Sequence, residues 1–302
     1  MTIALYAFDE VAGPADQLAK LLGITRRSIS VHHFPDGETL VSVPTPLDAT
    51  TIIVYRSLDN PNAKLVELLF AQSALRENGA NKVILVAPYL AYLRQDKEFH
   101  HGEAVSRDVI CGLIEDHFDA LMTIDPHLHR LHDLGQAMTD IEVVSLSAAS
   151  ILAAGINPLP RPILVGPDSE SRQWVEAIAR SLGLDILIGE KVRRGDQEVK
   201  ITIPGVASVQ GRPVVLVDDV ISSGGTLEAA ANLVKSAGAS HIEALVTHCL
   251  ASKEVIRRLE LAGIERIRST DAVPGPTACL SVAPILANAI ADRFSLDELG
   301  AA

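Results

Sequence analysis

The run Val214-Val215-Leu216-Val217-Asp218-Asp219-Val220-Ile221-Ser222-Ser223-Gly224-Gly225-Thr226 carries the densest chemistry in the chain. Its four leading apolar residues predict a buried parallel strand, because a sheet covered on both faces favours unbroken apolar runs. Two carboxylates follow at the C-terminal end of that strand, then a turn of small residues. The apolar period over 227–235 predicts a helix after the turn. Glycines let a ligand come close to the backbone, and the unpaired amides of a helix start hold a phosphate dianion. The acidic pair suits sugar hydroxyls or a hydrated divalent cation. Asp-Asp alone is an ordinary solvated strand end. The attached Ser-Ser-Gly-Gly-Thr turn is what points to a sugar phosphate.

Five other segments hold reactive groups in compact order. Phe34-Pro35-Asp36-Gly37-Glu38 predicts a turn between two strands, with an aromatic face suited to a planar base. In Pro88-Tyr89-Leu90-Ala91-Tyr92-Leu93-Arg94-Gln95-Asp96-Lys97, Arg94 offers a rigid fork for phosphate oxygens, and two tyrosines precede the compact Arg-Gln-Asp. His127, His129 and His132 lie close together, but they follow a strand and lack the His-Glu-x-x-His spacing of a zinc helix. Asp168 ends the strand of Val165-Gly166-Pro167-Asp168, and the serines of Ser169-Glu170-Ser171 are placed to cap a helix. Gly189-Glu190-Lys191-Val192-Arg193-Arg194-Gly195-Asp196-Gln197-Glu198 has the composition of an exposed charged hairpin.

The elements that must position these groups alternate strand with helix. Apolar runs at 3–7, 52–55, 83–87, 121–124, 163–165, 186–188, 214–217 and 242–246 predict strands. Asn60 and Pro61 predict a capped helix start, and Gly79 its end. Such alternation predicts parallel sheets with helices on both faces, and ligands beyond the C-terminal strand ends. A length of 302 residues allows one large or two medium domains, and the Pro/Gly-rich stretch 154–162 suggests a boundary near 143–154. With 48% hydrophobic and only 4% aromatic residues, the core must be mostly aliphatic. A net charge of −12 argues against a protein that coats nucleic acid, although local cations can still draw small anions into one cleft. Three cysteines without Cys-x-x-Cys spacing suit reduced thiols. No signal peptide and no membrane-length apolar run is evident, so a cytoplasmic location is expected.

Taken in order, these segments resemble the motifs of the ribose-phosphate pyrophosphokinase family, and the resemblance spans residues 34–226. The loop at 218–226 is shared with type I phosphoribosyltransferases, whereas Arg94-Gln95-Asp96 and the Lys-x-Arg of Lys191 and Arg193 match the pyrophosphokinases. Within the family, residues 97–106 resemble the archaeal-type class (class III-like). That implies ADP inhibition, if any, only by competition with ATP. The resemblance implies an α/β fold of two phosphoribosyltransferase-type domains, each a mainly parallel sheet flanked by helices. Residues 1–145 would form the N-terminal domain, with a C-terminal helix at about 286–302 packing back on it. Residues 146–285 would carry the loop for 5-phosphoribosyl 1-diphosphate (PRPP).

The implied reaction moves the β,γ-diphosphoryl group of ATP to the 1-hydroxyl of ribose 5-phosphate, giving PRPP and AMP. The implied ATP residues are Phe34, Asp36 and Glu38, reaching from a neighbouring subunit, with Arg94, Gln95, Asp96 and His127. Ribose 5-phosphate would meet Asp218, Asp219, Ser222, Ser223, Gly224, Gly225 and Thr226. Mg2+ would lie near His127 and Asp168, and Lys191 and Arg193 would be the catalytic cations of a mobile loop. A dimer-based homo-oligomer is implied, with no nucleic-acid or membrane partner. The chain departs from the pattern at Ser169-Glu170-Ser171, where many members have a Gly-rich turn. Two other readings share the loop: a phosphoribosyltransferase that consumes PRPP without ATP, and a non-catalytic regulatory homologue that binds nucleotide.

Overall fold

β1 (Ile3–Phe8) is buried along its whole length, as its unbroken apolar sequence requires. The computed structural model describes residues 3–128, 133–158, 160–194 and 198–294, giving the backbone alone for 191–194 and 198–200. The chain divides into two compact units at Ser147–Ala148 and again at Ser281–Val282.

In the first unit β1 is followed by α1 (Ala12–Leu22), β2 (Arg26–His33), β3 (Thr39–Ser42), β4 (Thr51–Tyr55) and α2 (Pro61–Glu77). Next come β5 (Lys82–Val86), α3 (Ser106–Glu115), β6 (Ala120–Ile124) and β7 (Glu142–Leu146). The sheet order is β3-β2-β1-β4-β5-β6-β7, parallel throughout except for the antiparallel β2–β3 edge.

α2 opens with Pro61 in its first turn, but Asn60 does not cap it as expected. Asn60 takes the left-handed conformation (φ 49°) instead of the extended backbone of a capping residue, and its side chain makes no bond to the helix amides. The end is as read: Ala80 N–H returns to Leu75 O at 3.0 Å around Gly79 (φ 101°).

A buried charge sits where β4 meets α2. The Arg56 guanidinium donates to Glu67, to Glu10 Oε1 at 2.8 Å and to Lys64 O at 3.0 Å, and it lies 3.6 Å over the Phe8 ring.

The second unit contains α4 (Ala149–Gly155), β8 (Ile163–Gly166), α5 (Arg172–Leu182) and β9 (Asp185–Ile188). The antiparallel ribbon β10 (Glu190–Arg194) and β11 (Glu198–Thr202) follows. The unit is completed by β12 (Pro213–Ile221), α6 (Gly225–Ser236), β13 (His241–Cys249), α7 (Lys253–Leu261), β14 (Arg266–Thr270) and β15 (Ala278–Leu280). Its sheet, ordered β15-β14-β13-β12-β8-β9, is parallel at every pairing. Val214, Leu216, Ala244 and Val246 form its aliphatic centre. The Pro/Gly-rich stretch joins α4 to β8 inside this unit.

α8 (Ala283–Arg293) belongs to the first unit, where it packs on α1 and its Arg293 bonds Glu142 at 2.9 Å. It starts earlier than the expected residue 286, because Pro284 fixes the first turn, and 295–302 lie outside the described residues.

β12 differs from its expected end at Val217. It runs on to Ile221 because β13 pairs with it past the acidic pair, Asp218 opposite Val246 and Ile221 opposite Cys249. At the other end of this strand pair, His241 lies 3.1 Å from Glu243 and 2.8 Å from Glu265, with Arg268 on Glu243 at 2.8 Å. The Glu243 hydrogen bond, helped by Glu265 and opposed by partial burial, raises His241 above 6.5. The fold therefore favours the imidazolium. Its contribution to stability is complete below about pH 6.5 and disappears as pH rises through the raised value. His241→Gln is expected to flatten that part of the urea-midpoint profile between pH 6 and 9. A mutant profile parallel to wild type would reject the assignment.

Candidate active site

In the second unit, Asp168 stands just beyond the end of β8, and Asp218 and Asp219 lie on the neighbouring strand β12. Asp168 and Asp219 are buried. Burial, followed by repulsion from Asp219 and Asp168, pushes the Asp218 carboxyl well above the usual carboxylate range. This crowding of carboxylates is a place that gains from a cation.

The departure at Ser169–Ser171 has a local explanation. Ser171 makes no side-chain cap to α5, contrary to expectation. Asp168 Oδ1 instead accepts from Glu170 N–H at 3.0 Å and Ser171 N–H at 3.4 Å, while Ser171 Oγ donates to Asp168 O at 2.6 Å. The turn amides thus hold the aspartate itself, without needing glycines.

The turn Ser222–Gly224 leads directly into α6, so Gly225 and Thr226 supply first-turn amides. Gly224 must be glycine twice over. Its φ is 75°, and a Cβ would lie 2.8 Å from Val255 Cγ1. A second tight glycine roots the charged hairpin. Gly189 N–H donates to Gly166 O at 2.7 Å, and a Cβ there would overlap the Pro167 carbonyl. The ribbon that begins at Glu190 therefore starts against the turn that holds Asp168. In its backbone register Lys191 faces Ile201 and Arg193 faces Val199, and the side chains of Lys191 and Arg193 lie outside the described part of the structure.

In the first unit, Arg94, Gln95 and His127 line one pocket of about 290 Å³ together with Tyr89, Tyr92 and Ser106. Gln95 is fixed from two sides, by Ser106 Oγ on its amide oxygen at 2.9 Å and by Arg107 N–H on its carbonyl at 3.3 Å. Asp96 is buried and does not line the pocket. His129 and His132 are outside the described residues.

Tyr92, the second tyrosine of the run before Arg94, adopts φ 66°, and its hydroxyl donates to Asn62 Oδ1. Nothing in the residue pattern signals that strain. Asp125 is strained too, at φ 39°, two residues before His127.

Phe34, Asp36 and Glu38 lie apart from this pocket. They form the exposed turn between β2 and β3, closed by Phe34 N–H to Glu38 O at 2.8 Å and by Asp36 Oδ1 on Glu38 N–H at 3.1 Å. Phe34 is 39% exposed, which leaves ring face available.

Among the described residues no three His, Cys, Asp or Glu side chains form a metal cage. Magnesium does not demand one, since it keeps several waters and takes one or two carboxylates with substrate phosphates. No helix among the described residues is long and apolar enough to cross a membrane.

Residues 3–117 match the family model of the N-terminal domain of ribose phosphate pyrophosphokinase, and residues 140–281 that of the phosphoribosyl transferase domain. The ribose-phosphate pyrophosphokinase of Methanopyrus kandleri is 36% identical over 278 residues, covering 91% of this chain and 94% of that protein. The Sulfolobus acidocaldarius protein of the same name is 33% identical over 276 residues, covering 89% and 93%. The crystal structure of phosphoribosylpyrophosphate synthetase from Mycobacterium smegmatis aligns with a TM-score of 0.82 at 27% identity, over 97% of this chain and 99% of that one. With both halves matched over nearly the full length of these relatives, the chain belongs to the ribose-phosphate pyrophosphokinase family.

Proposed function

We propose that the chain transfers the β,γ-diphosphoryl group of ATP to the 1-hydroxyl of ribose 5-phosphate, with the residues of its two units divided between the substrates. The reading is carried by one observation: a carboxylate trio and a glycine-formed amide cradle share neighbouring strands with the root of a Lys-x-Arg ribbon.

The 5-phosphate takes the amides of Gly224, Gly225 and Thr226 with the hydroxyls of Ser222, Ser223 and Thr226, where the N-terminus of α6 favours an anion. Asp218 and Asp219 accept hydrogen bonds from the ribose hydroxyls. ATP takes the Arg94, Gln95 and His127 pocket, with Asp96 next in sequence to Gln95 supporting it. Phe34, Asp36 and Glu38, exposed on their turn, serve the adenosine of a second copy in a dimer-based homo-oligomer.

The 1-hydroxyl attacks the β-phosphorus in line. The new C1–O–P bond forms as the bond from the β-phosphorus to the α,β-bridging oxygen breaks, AMP leaves with that oxygen, and the 1-hydroxyl proton passes to solvent. Lys191 and Arg193 neutralise charge on the moving group, which is the main protein contribution to phosphoryl transfer. Asp168 fits a magnesium ion through its carboxylate, and His127 through bound water or phosphate. Such an ion, when bound, screens the diphosphoryl oxygens. Phosphorylated substrates of this kind suit a cytoplasmic enzyme.

Purified protein given ATP, Mg2+ and ribose 5-phosphate is expected to form AMP and PRPP in equal amounts. Consumption of PRPP with a nucleobase in the absence of ATP would make it a transferase. Nucleotide binding without turnover would make it a regulatory homologue.

A further inference from the structure

α7 grips the phosphate cradle from outside. Its N-terminus is capped by Ser252, whose Oγ accepts from Val255 N–H at 3.3 Å. One turn on, the Arg258 guanidinium makes two contacts with the cradle. It donates to the backbone carbonyl of Ser223, and its Nε lies 2.8 Å from Glu228 Oε2 in the first turn of α6. Val255 meanwhile closes the space beside Gly224.

The Ser223 carbonyl and the Gly224 N–H belong to one planar trans peptide, so they point in opposite directions. Gly224 has no Cβ to resist rotation of that peptide. A flipped peptide would present a carbonyl oxygen to the cradle in place of a donor. Holding Ser223 O on the α7 side therefore fixes the Gly224 N–H on the other side, among the amides of the α6 start.

We propose that Arg258 is a positioning residue for ribose 5-phosphate, holding the Ser223–Gly224 peptide in its anion-accepting orientation. Glu228 offsets its charge, so the effect runs through the hydrogen bond to Ser223 O. Nothing in the sequence marks Arg258, because it occupies an ordinary exposed position of an amphipathic helix. The inference rests on the reading of Ser222–Thr226 as the 5-phosphate cradle.

Arg258→Met keeps the aliphatic stem and removes both donor and charge. It is expected to raise KM for ribose 5-phosphate about tenfold, equivalent to about 1.4 kcal/mol, with KM for ATP unchanged and kcat within about twofold. Arg258→Gln restores a neutral donor and is expected to recover part of the loss. An unchanged KM for ribose 5-phosphate in Arg258→Met would overturn the proposal. So would a Gln variant no better than Met, with both melting at lower temperature in step with their KM.

The paired variant Ser222→Ala/Thr226→Val separates this inference from the reading beneath it. If that variant raises the same KM and Arg258→Met does not, only the Arg258 role falls. If neither moves it, the cradle itself is misassigned.

Discussion

Lys191→Ala is expected to lower kcat by roughly 10³-fold while leaving the Kd for ribose 5-phosphate within about twofold of wild type. The asymmetry follows from where charge sits. In the proposed function the pentose phosphate is held by amides, hydroxyls and carboxylates on β12 and α6, none of which involves the ribbon. The ribbon's cations are needed when negative charge spreads over the moving diphosphoryl group. Gly189 sets the ribbon's root against the turn that holds Asp168, so Lys191, the second residue of β10, lies two residues from that root. Arginine at this position keeps the charge but replaces a compact ammonium by a planar fork, so Lys191→Arg should recover activity only in part. Steady-state rates with calorimetric binding of ribose 5-phosphate separate the two effects. A near-normal kcat for Lys191→Ala would remove the ribbon from the mechanism, and a matching loss of sugar binding would make Lys191 a binding residue.

Arg56→Met carries the largest expected effect on stability, about 3–5 kcal/mol. Arg56 and Glu67 are both almost wholly enclosed, with side chains 4% and 5% exposed. Removing the guanidinium takes the near partner from the enclosed Glu67 carboxylate, whose other neighbour, His33 at 3.7 Å, is largely exposed, and it opens the hydrogen bonds to Glu10 and Lys64 O. It also takes away the cation stacked on Phe8. Replacing both partners, as in Arg56→Met with Glu67→Leu, leaves no buried charge and should return most of the stability. Urea unfolding of the two variants checks this. A single mutant within about 1 kcal/mol of wild type, the range of exposed ion pairs, would show that water reaches the pair.

The sheet strands were legible in proportion to their burial. β1 is an unbroken apolar run, and β4, β5, β6 and the first half of β12 are each built on an apolar stretch, for which a two-sided core leaves little other use. β2 escapes that reading, because Arg26-Arg27-Ser28-Ile29-Ser30-Val31-His32-His33 lies near the sheet edge and buries Ile29 most fully. Its presence follows from the turn at Phe34–Glu38 instead. β12 outruns its expected length because aspartate is depleted within strands, whereas here pairing with β13 carries the backbone four residues further.

The candidate site was legible where chemistry is local in sequence. The Ser-Ser-Gly-Gly-Thr turn and the Arg94–Gln95 pair each announce themselves within a few residues. Contacts that depend on chain crossings do not. The Arg258 grip on Ser223 and the bond of the strained Tyr92 to Asn62 arise from tertiary placement, whereas the Asp168 turn is local and was hidden by the capping propensity of the serines.

The most direct test is a crystal structure of the protein with ribose 5-phosphate and a non-hydrolysable ATP analogue. The account predicts the sugar's phosphate within hydrogen-bonding distance of the Gly224, Gly225 and Thr226 amides, and the nucleotide beside Arg94, Gln95 and His127. A sugar phosphate bound elsewhere, with that cradle holding only solvent, would contradict it.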